Sequence, residues 1–214
     1  MMTMPPKPRK RGKSKKPRKP KVTRTDAWRA VAQRTAGDFV EARRPSKERV
    51  LVRHGPWKVW LDTYVVSNGS TSQTYTRVRA YVRGWRGLSL LVRKRGFLDR
   101  LWESLGFGRR LPVSRTLVDR YVVKGKPEPR VPSLFSAQGL TEAVLAVPSL
   151  RLEIKRPSRK SRKRFGEDSG GVVCRTTGVI TDVDRLEGMI AVVREALDSL
   201  HRVGEAREEE VPDA

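Results

Sequence analysis

Cysteine is nearly absent from this chain. Its 214 residues hold one, Cys174, so no intramolecular disulfide can form. Histidine is almost as scarce: His54 and His201 stand far apart in sequence, and no Cys or His cluster has the spacing of a zinc site. Long apolar runs are missing too. Stretches such as Ala143 to Val147 fall far short of the ~20 residues needed to span a bilayer. The basic N-terminus is not followed by an apolar stretch, as a secretory signal would require. Together these absences lead to the expectation of a cytoplasmic protein without a metal, a cofactor or a transmembrane segment. Acids are also in deficit: 23 Asp and Glu face 47 Lys and Arg, for a net charge of +24. A field of that strength favours polyanions, nucleic acid before an anionic membrane surface.

A general bias toward arginine is the bland alternative, and 32 Arg against 15 Lys supports part of it. Seven of those lysines, however, fall within the first 24 residues. That stretch carries 11 Lys or Arg, five Pro and no acid. Like-charge repulsion, proline and the lack of anything apolar to bury predict a disordered, extended arm over residues 1–25.

The hydrophobic fraction is only 37%, but the deficit sits in the termini, so the middle of the chain can bury a core. A helix is predicted from an N-cap near Asp26, with Trp28, Val31, Ala32, Thr35 and Phe39 at helical spacing. Strands follow at 49–54 and 57–67, then a hairpin loop at Asn68-Gly69, and strands at 73–83 and 88–94. The last three read as an antiparallel meander. Residues 97–105 have a short helix pattern, 120–124 a strand pattern, 136–147 a helix pattern, and 150–155 and 171–177 strand patterns. Asp182 caps a final helix whose stripe is Val183, Leu186, Ile190, Val193, Leu197 and Leu200. The predicted fold is α+β: an antiparallel sheet of about five to six strands, packed by the long C-terminal helix and shorter ones. One domain is assigned to 26–202 and a disordered acidic tail to 203–214. Val59, Leu61, Val78, Ala80, Val82, Leu88, Leu90, Val92, Leu186, Ile190 and Val193 are the predicted core.

The arm is the strongest functional signal. Lys7, Arg9, Lys10, Arg11, Lys13, Lys15, Lys16, Arg18, Lys19 and Lys21 can each displace a counterion from a phosphate, a mode that needs no particular shape. A solubilising tail would look the same. The second cluster runs from Lys155 to Arg164, with Arg156, Arg159, Lys160, Arg162, Lys163 and Arg164 as candidate phosphate ligands. It reads as a mobile loop between two strands, with a solvated loop meeting the acidic tail as the plain alternative. The third lies on the hairpin. If Val78, Ala80 and Val82 face the core, then Arg77, Arg79, Tyr81 and Arg83 face outward, beside Lys58, Trp60, Asp62 and Tyr64. Aromatics mixed with arginine on an exposed sheet suit base stacking. Ordinary cross-strand packing yields the same pattern, and a covering helix would hide it.

Catalysis finds less support. Glu153-x-Lys155 on one strand face, with Asp119 upstream, is the spacing of some magnesium-dependent nucleases. Alternating charge on a half-exposed strand produces it readily by chance. Neither histidine has a neighbouring motif, Cys174 sits in an apolar strand, and Gly106-Phe107-Gly108 is a helix stop rather than a phosphate loop. The expectation is a protein that is not an enzyme.

Three segments carry a resemblance to a family of uncharacterised bacterial domains: Gly55-Pro56-Trp57-Lys58-Val59-Trp60-Leu61, Tyr75-Thr76-Arg77-Val78 and Asp119-Arg120-Tyr121-Val122-Val123-Lys124-Gly125. The chain resembles that family over about residues 28–200, where an N-terminal helix precedes the Gly-led strand. Arg120 stands where the family pattern has an aromatic. The resemblance implies a single α+β domain of unknown function and adds no site. The function expected is non-catalytic polyanion binding: DNA or RNA held through phosphates with low sequence specificity. The alternative is a structural or protein-interaction module whose basic tail serves localisation or solubility.

Overall fold

Thr23 and Asp26 form a reciprocal cap at the start of the first helix. The Thr23 hydroxyl accepts from the Asp26 backbone N–H, and the Asp26 carboxylate accepts from Thr23 in return. Helix α1 (Arg24–Arg34) therefore starts slightly before the predicted point, and Asp26 is its third residue rather than its cap. The structure, a computed structural model, describes residues 23–43, 47–97, 99, 111–210 and 212. Arm residues 1–22 and most of the helix expected at 97–105 lie outside them.

After α1 the chain turns through Ala36, at φ 51°, and Gly37, where an added Cβ would meet the Leu51 carbonyl oxygen at 2.6 Å. This close approach admits a strand that the helical pattern had hidden. Phe39, predicted on the helix, lies in β1 (Asp38–Val40). β2 (Arg49–His54), β3 (Trp57–Ser67) and β4 (Ser72–Val82) follow as antiparallel neighbours. The remaining strands are β5 (Ser89–Lys94), β6 (Tyr121–Lys126), β7 (Arg151–Lys155) and β8 (Gly170–Thr177). Among the described residues the sheet thus has eight strands, not five or six, in the order β1-β2-β3-β4-β8-β7-β5-β6, with every neighbouring pair antiparallel.

The meander is the main correction. β3 and β4 pair as expected, but β5 does not join β4, because β8 and β7 stand between them. Alternation specifies a strand's faces, not its neighbour. Arg120 likewise falls in a helix, α2 (Arg115–Arg120), and the strand begins at Tyr121.

The inner face of the sheet is covered by α1, α3 (Val131–Leu134), α4 (Gln138–Ala146) and α6 (Val183–Arg202). Asp182 caps α6 by accepting from the Arg185 N–H, as predicted. All eleven predicted core residues lie in one buried cluster, with Trp28, Leu152, Val172, Cys174 and Leu197 among its other members. Burial pushes the Cys174 thiol up to about 12, so it stays protonated and inert. The class is α+β, with its main helices segregated to one side of the sheet.

The chain beyond α6 departs from the expected tail. Glu205 is fully buried; it accepts from the backbone N–H groups of Arg86 and Leu88 and pairs with Arg130 at 2.8 Å. Arg207 then bridges to Arg83 in antiparallel fashion. One buried carboxylate with two backbone donors is enough to fasten a segment whose composition reads as solvated.

Candidate nucleic-acid interface

Side chains alternate across a strand, so a sheet that buries Val59, Val78, Val172 and Leu152 on one side must turn Trp60, Arg77, Arg175 and Glu153 to the other. This outer face carries the features that bear on function.

At its β3–β4 end lies the second basic cluster. The expected mobile loop is instead a helix, α5 (Arg159–Phe165), capped by Ser158, whose hydroxyl accepts from the Ser161 N–H. The helix ends on Phe165, which stacks on Tyr81 with ring centroids 4.0 Å apart and lies 6.3 Å from Trp60. Trp60 and Tyr81, predicted to be exposed, are buried beneath it. Phe165 is the residue that the sequence reading missed, a lone apolar side chain closing a cationic run. It turns five of the seven basic positions into a pinned helix. Arg159, Lys160, Lys163 and Arg164 are exposed on α5, and Arg164 also lies over the Phe165 ring. Arg162 is half-buried, donating to Glu167 at 3.0 Å and to the Pro157 carbonyl. Arg156 is exposed and 3.7 Å from the same Glu167. Lys7, Arg9, Lys10, Arg11, Lys13, Lys15, Lys16, Arg18, Lys19 and Lys21 lie outside the described residues. Arg24, the last basic residue of the expected arm, is a core-edge residue: it pairs with Glu48 at 3.2 Å and stacks on Trp28.

Away from α5 the outer face carries a row of charge. Four arginines stand in direct cross-strand register on adjacent strands: Arg77 of β4 opposite Arg175 of β8, Arg175 opposite Arg151 of β7, and Arg151 opposite Arg93 of β5. Like charges directly opposite destabilise a sheet, so such a row needs compensation. Three carboxylates supply it. Asp62 accepts from Arg77 at 2.5 Å and from Arg79 at 3.0 Å. Glu153 accepts from Arg151, Lys155 and Arg175. Asp99 accepts from Arg93 through both oxygens. Burial alone would raise the Glu153 pKa, but the hydrogen bonds from Lys155 and Arg151 outweigh it and hold the carboxyl below its ordinary value. The Arg93 hydrogen bonds, aided by the Gly96 N–H, hold Asp99 at about 2. Six cations against three carboxylates leave the row positive.

Beside the row, Tyr64 and Tyr75 face each other across β3 and β4 with ring centroids 5.3 Å apart, nearly parallel. The Arg77 guanidinium lies 4.7 Å over Tyr64 and that of Arg175 5.5 Å over Tyr75. Both rings are half-exposed. At the other end of the face a groove of about 650 Å³ runs over β7, β5 and β6, lined by Leu91, Lys124, Glu153 and Lys155 with Leu111 at its side.

The remaining candidates carry less chemistry. The Glu153 carboxylate is occupied by three cations, and Asp119 is an exposed residue of α2. The two histidines, remote in sequence, meet at one end of the fold. His54 is 2.8 Å from Asp198, His201 is 3.3 Å from Glu208, and both rings lie near Trp57. Among the described residues no three His, Cys, Asp or Glu side chains form a group that would hold a metal ion, and no helix is long and apolar enough to cross a membrane. Searches for relatives add no constraint: no protein-family model, curated protein or solved structure matches the chain.

Proposed function

We propose that the protein is a non-catalytic polyanion-binding protein that holds DNA or RNA through phosphates, with little sequence preference. The observation that carries this reading is α5: a rigid helix pinned by Phe165 that presents Arg159, Lys160, Lys163 and Arg164 to solvent. Residues 7–21 add ten more Lys and Arg from the same chain. Together they supply positive charge far in excess of the local acids, and each residue that reaches a phosphate releases a counterion.

Salt dependence tests this directly. If about six phosphates are contacted, log K falls with log salt at a slope near −5 on duplex DNA, about a thousandfold between about 50 and 200 mM. Removing residues 1–22 flattens that slope by several units. Neutralising Arg159, Lys160, Arg162 and Lys163 flattens it less, because α5 is short and held at both ends. Lys in place of Arg in the N-terminal stretch changes little, since point charge suffices in this mode. No measurable binding by the intact protein at about 50 mM salt would favour the protein-interaction alternative.

A further inference from the structure

We propose that the outer sheet face, from the Tyr64–Tyr75 pair along the Arg77–Arg175–Arg151 row, is the seat of a single-stranded nucleic acid, its bases on the rings and its phosphates on the arginines. The inference rests on the polyanion reading and narrows it to one surface and one class of ligand.

Three observations lead there. First, the row is costly to build. Like charges in register on adjacent strands oppose folding, and the main core lies on the other side of the sheet. Neighbouring strands are ~4.8 Å apart, so the row sets the backbones of three arginines at a regular interval across the sheet. Second, the guanidinium groups are held in place. Asp62 binds Arg77 through both of its oxygens, and Glu153 fixes Arg151 and Arg175. A held guanidinium loses little freedom on meeting a phosphate, and its five donors exceed what one carboxylate takes up. Third, the Tyr64 and Tyr75 rings lie nearly parallel, flanked by Arg planes, and half-open to solvent. Flat π-faces of this kind serve unpaired bases; a duplex keeps its bases stacked on one another and cannot use them. Charge complementarity thus selects a polyanion, and the partly exposed rings select one whose bases are free.

α5 borders this platform. Phe165 closes the Trp60–Tyr81 end of the face, so the basic helix flanks the row along the strand direction. The contacts that make α5 a phosphate ligand therefore lie beside those that receive the bases.

The test uses the full-length protein and two fluorescent probes of equal length, a single-stranded oligonucleotide of mixed sequence and the matching duplex, at two salt concentrations. Replacing both Tyr64 and Tyr75 by Leu keeps apolar bulk on the hairpin and removes the π-faces. Single-strand affinity should fall by about tenfold or more, while duplex affinity changes by less than about twofold and the salt slope stays the same. Arg175→Lys, which keeps the charge but loses the plane, should shift the same ratio in the same direction. Photocrosslinking of a halogenated single strand to the unaltered protein provides an arm that needs no variant to fold, and the crosslinked peptides should include Tyr64 or Tyr75. Equal losses on both probes, no loss on either, or crosslinks confined to residues 1–22 and 159–165 would overturn this inference and leave the polyanion reading standing. Absence of binding to both probes by the unaltered protein would remove both.

Discussion

The two faces of one sheet solve opposite problems with the same eight strands. The inner face sets Val, Leu, Ile and Ala against α1, α4 and α6, and its polar content is limited to groups such as Thr76, whose hydroxyl donates to the Gly178 carbonyl. The outer face lines up arginines across four strands and relies on three buried or half-buried carboxylates to make the arrangement tolerable. One side is stable because burying apolar area is favourable. The other is stable in spite of its composition. The difference shows which residues the fold needs and which it merely accommodates, and the latter mark the surface with something else to do.

The contrast can be broken most severely from the inner side. Ile190 of α6 is fully buried in the main core. Ile190→Ala should cost about 4 kcal/mol, within the range for emptying a packed site, as read from denaturant unfolding; a loss below about 1 kcal/mol would place the helix elsewhere. Phe165→Ala removes the only apolar hold of α5 on the outer face. Its cluster is small, so about 2–3 kcal/mol is expected, below the usual cost for a core phenylalanine. Unlike Ile190→Ala, it should also weaken polyanion binding under conditions where the protein remains folded. The gentlest probe is pH. Glu153 and Asp99 both titrate below their ordinary values in the folded protein. A depressed pKa contributes stability that is fully present above the unfolded value, near 4, and is lost as pH falls through the folded one, about 2 for Asp99. Unfolding experiments should therefore show stability declining below about pH 4.5, and Glu153→Gln should make that acid limb shallower. An unchanged limb in this variant would mean that Glu153 does not restrain the arginines as described.

Much of the inner face was legible in the sequence. Period-two alternation in β3 and β4 and the three-to-four spacing in α6 are direct imprints of burial, and all eleven expected core residues meet in one cluster. Pairing was not legible. Residues 88–94 alternate as a meander strand would, yet nothing local says that β7 and β8 insert between them and β4. The arginine row depends on that insertion: Arg77, Arg151 and Arg175 are scattered in sequence and become a row only through register. α5 was misread because charge density masks a single aromatic anchor, and the segment after α6 because one buried Glu205 outweighs its acidic neighbours. In each case the deciding interaction is long-range, and composition records only local preference.

The pairing of β4 with β8 has one more consequence, for the order in which the molecule comes into being. Thr76 lies opposite Thr176, so the central seam of the sheet joins residues a hundred positions apart. β1 to β4 can zip together from short loops, but closing the seam pays a large loop entropy late and makes non-local contact formation the slow event. During synthesis the N-terminal half-sheet must wait, with β4 as an unpaired edge, until β8 has left the ribosome. Arg175 reaches Arg77 and the tyrosine pair only at that closure. The surface proposed for nucleic acid is thus absent from every chain that has not yet made β8.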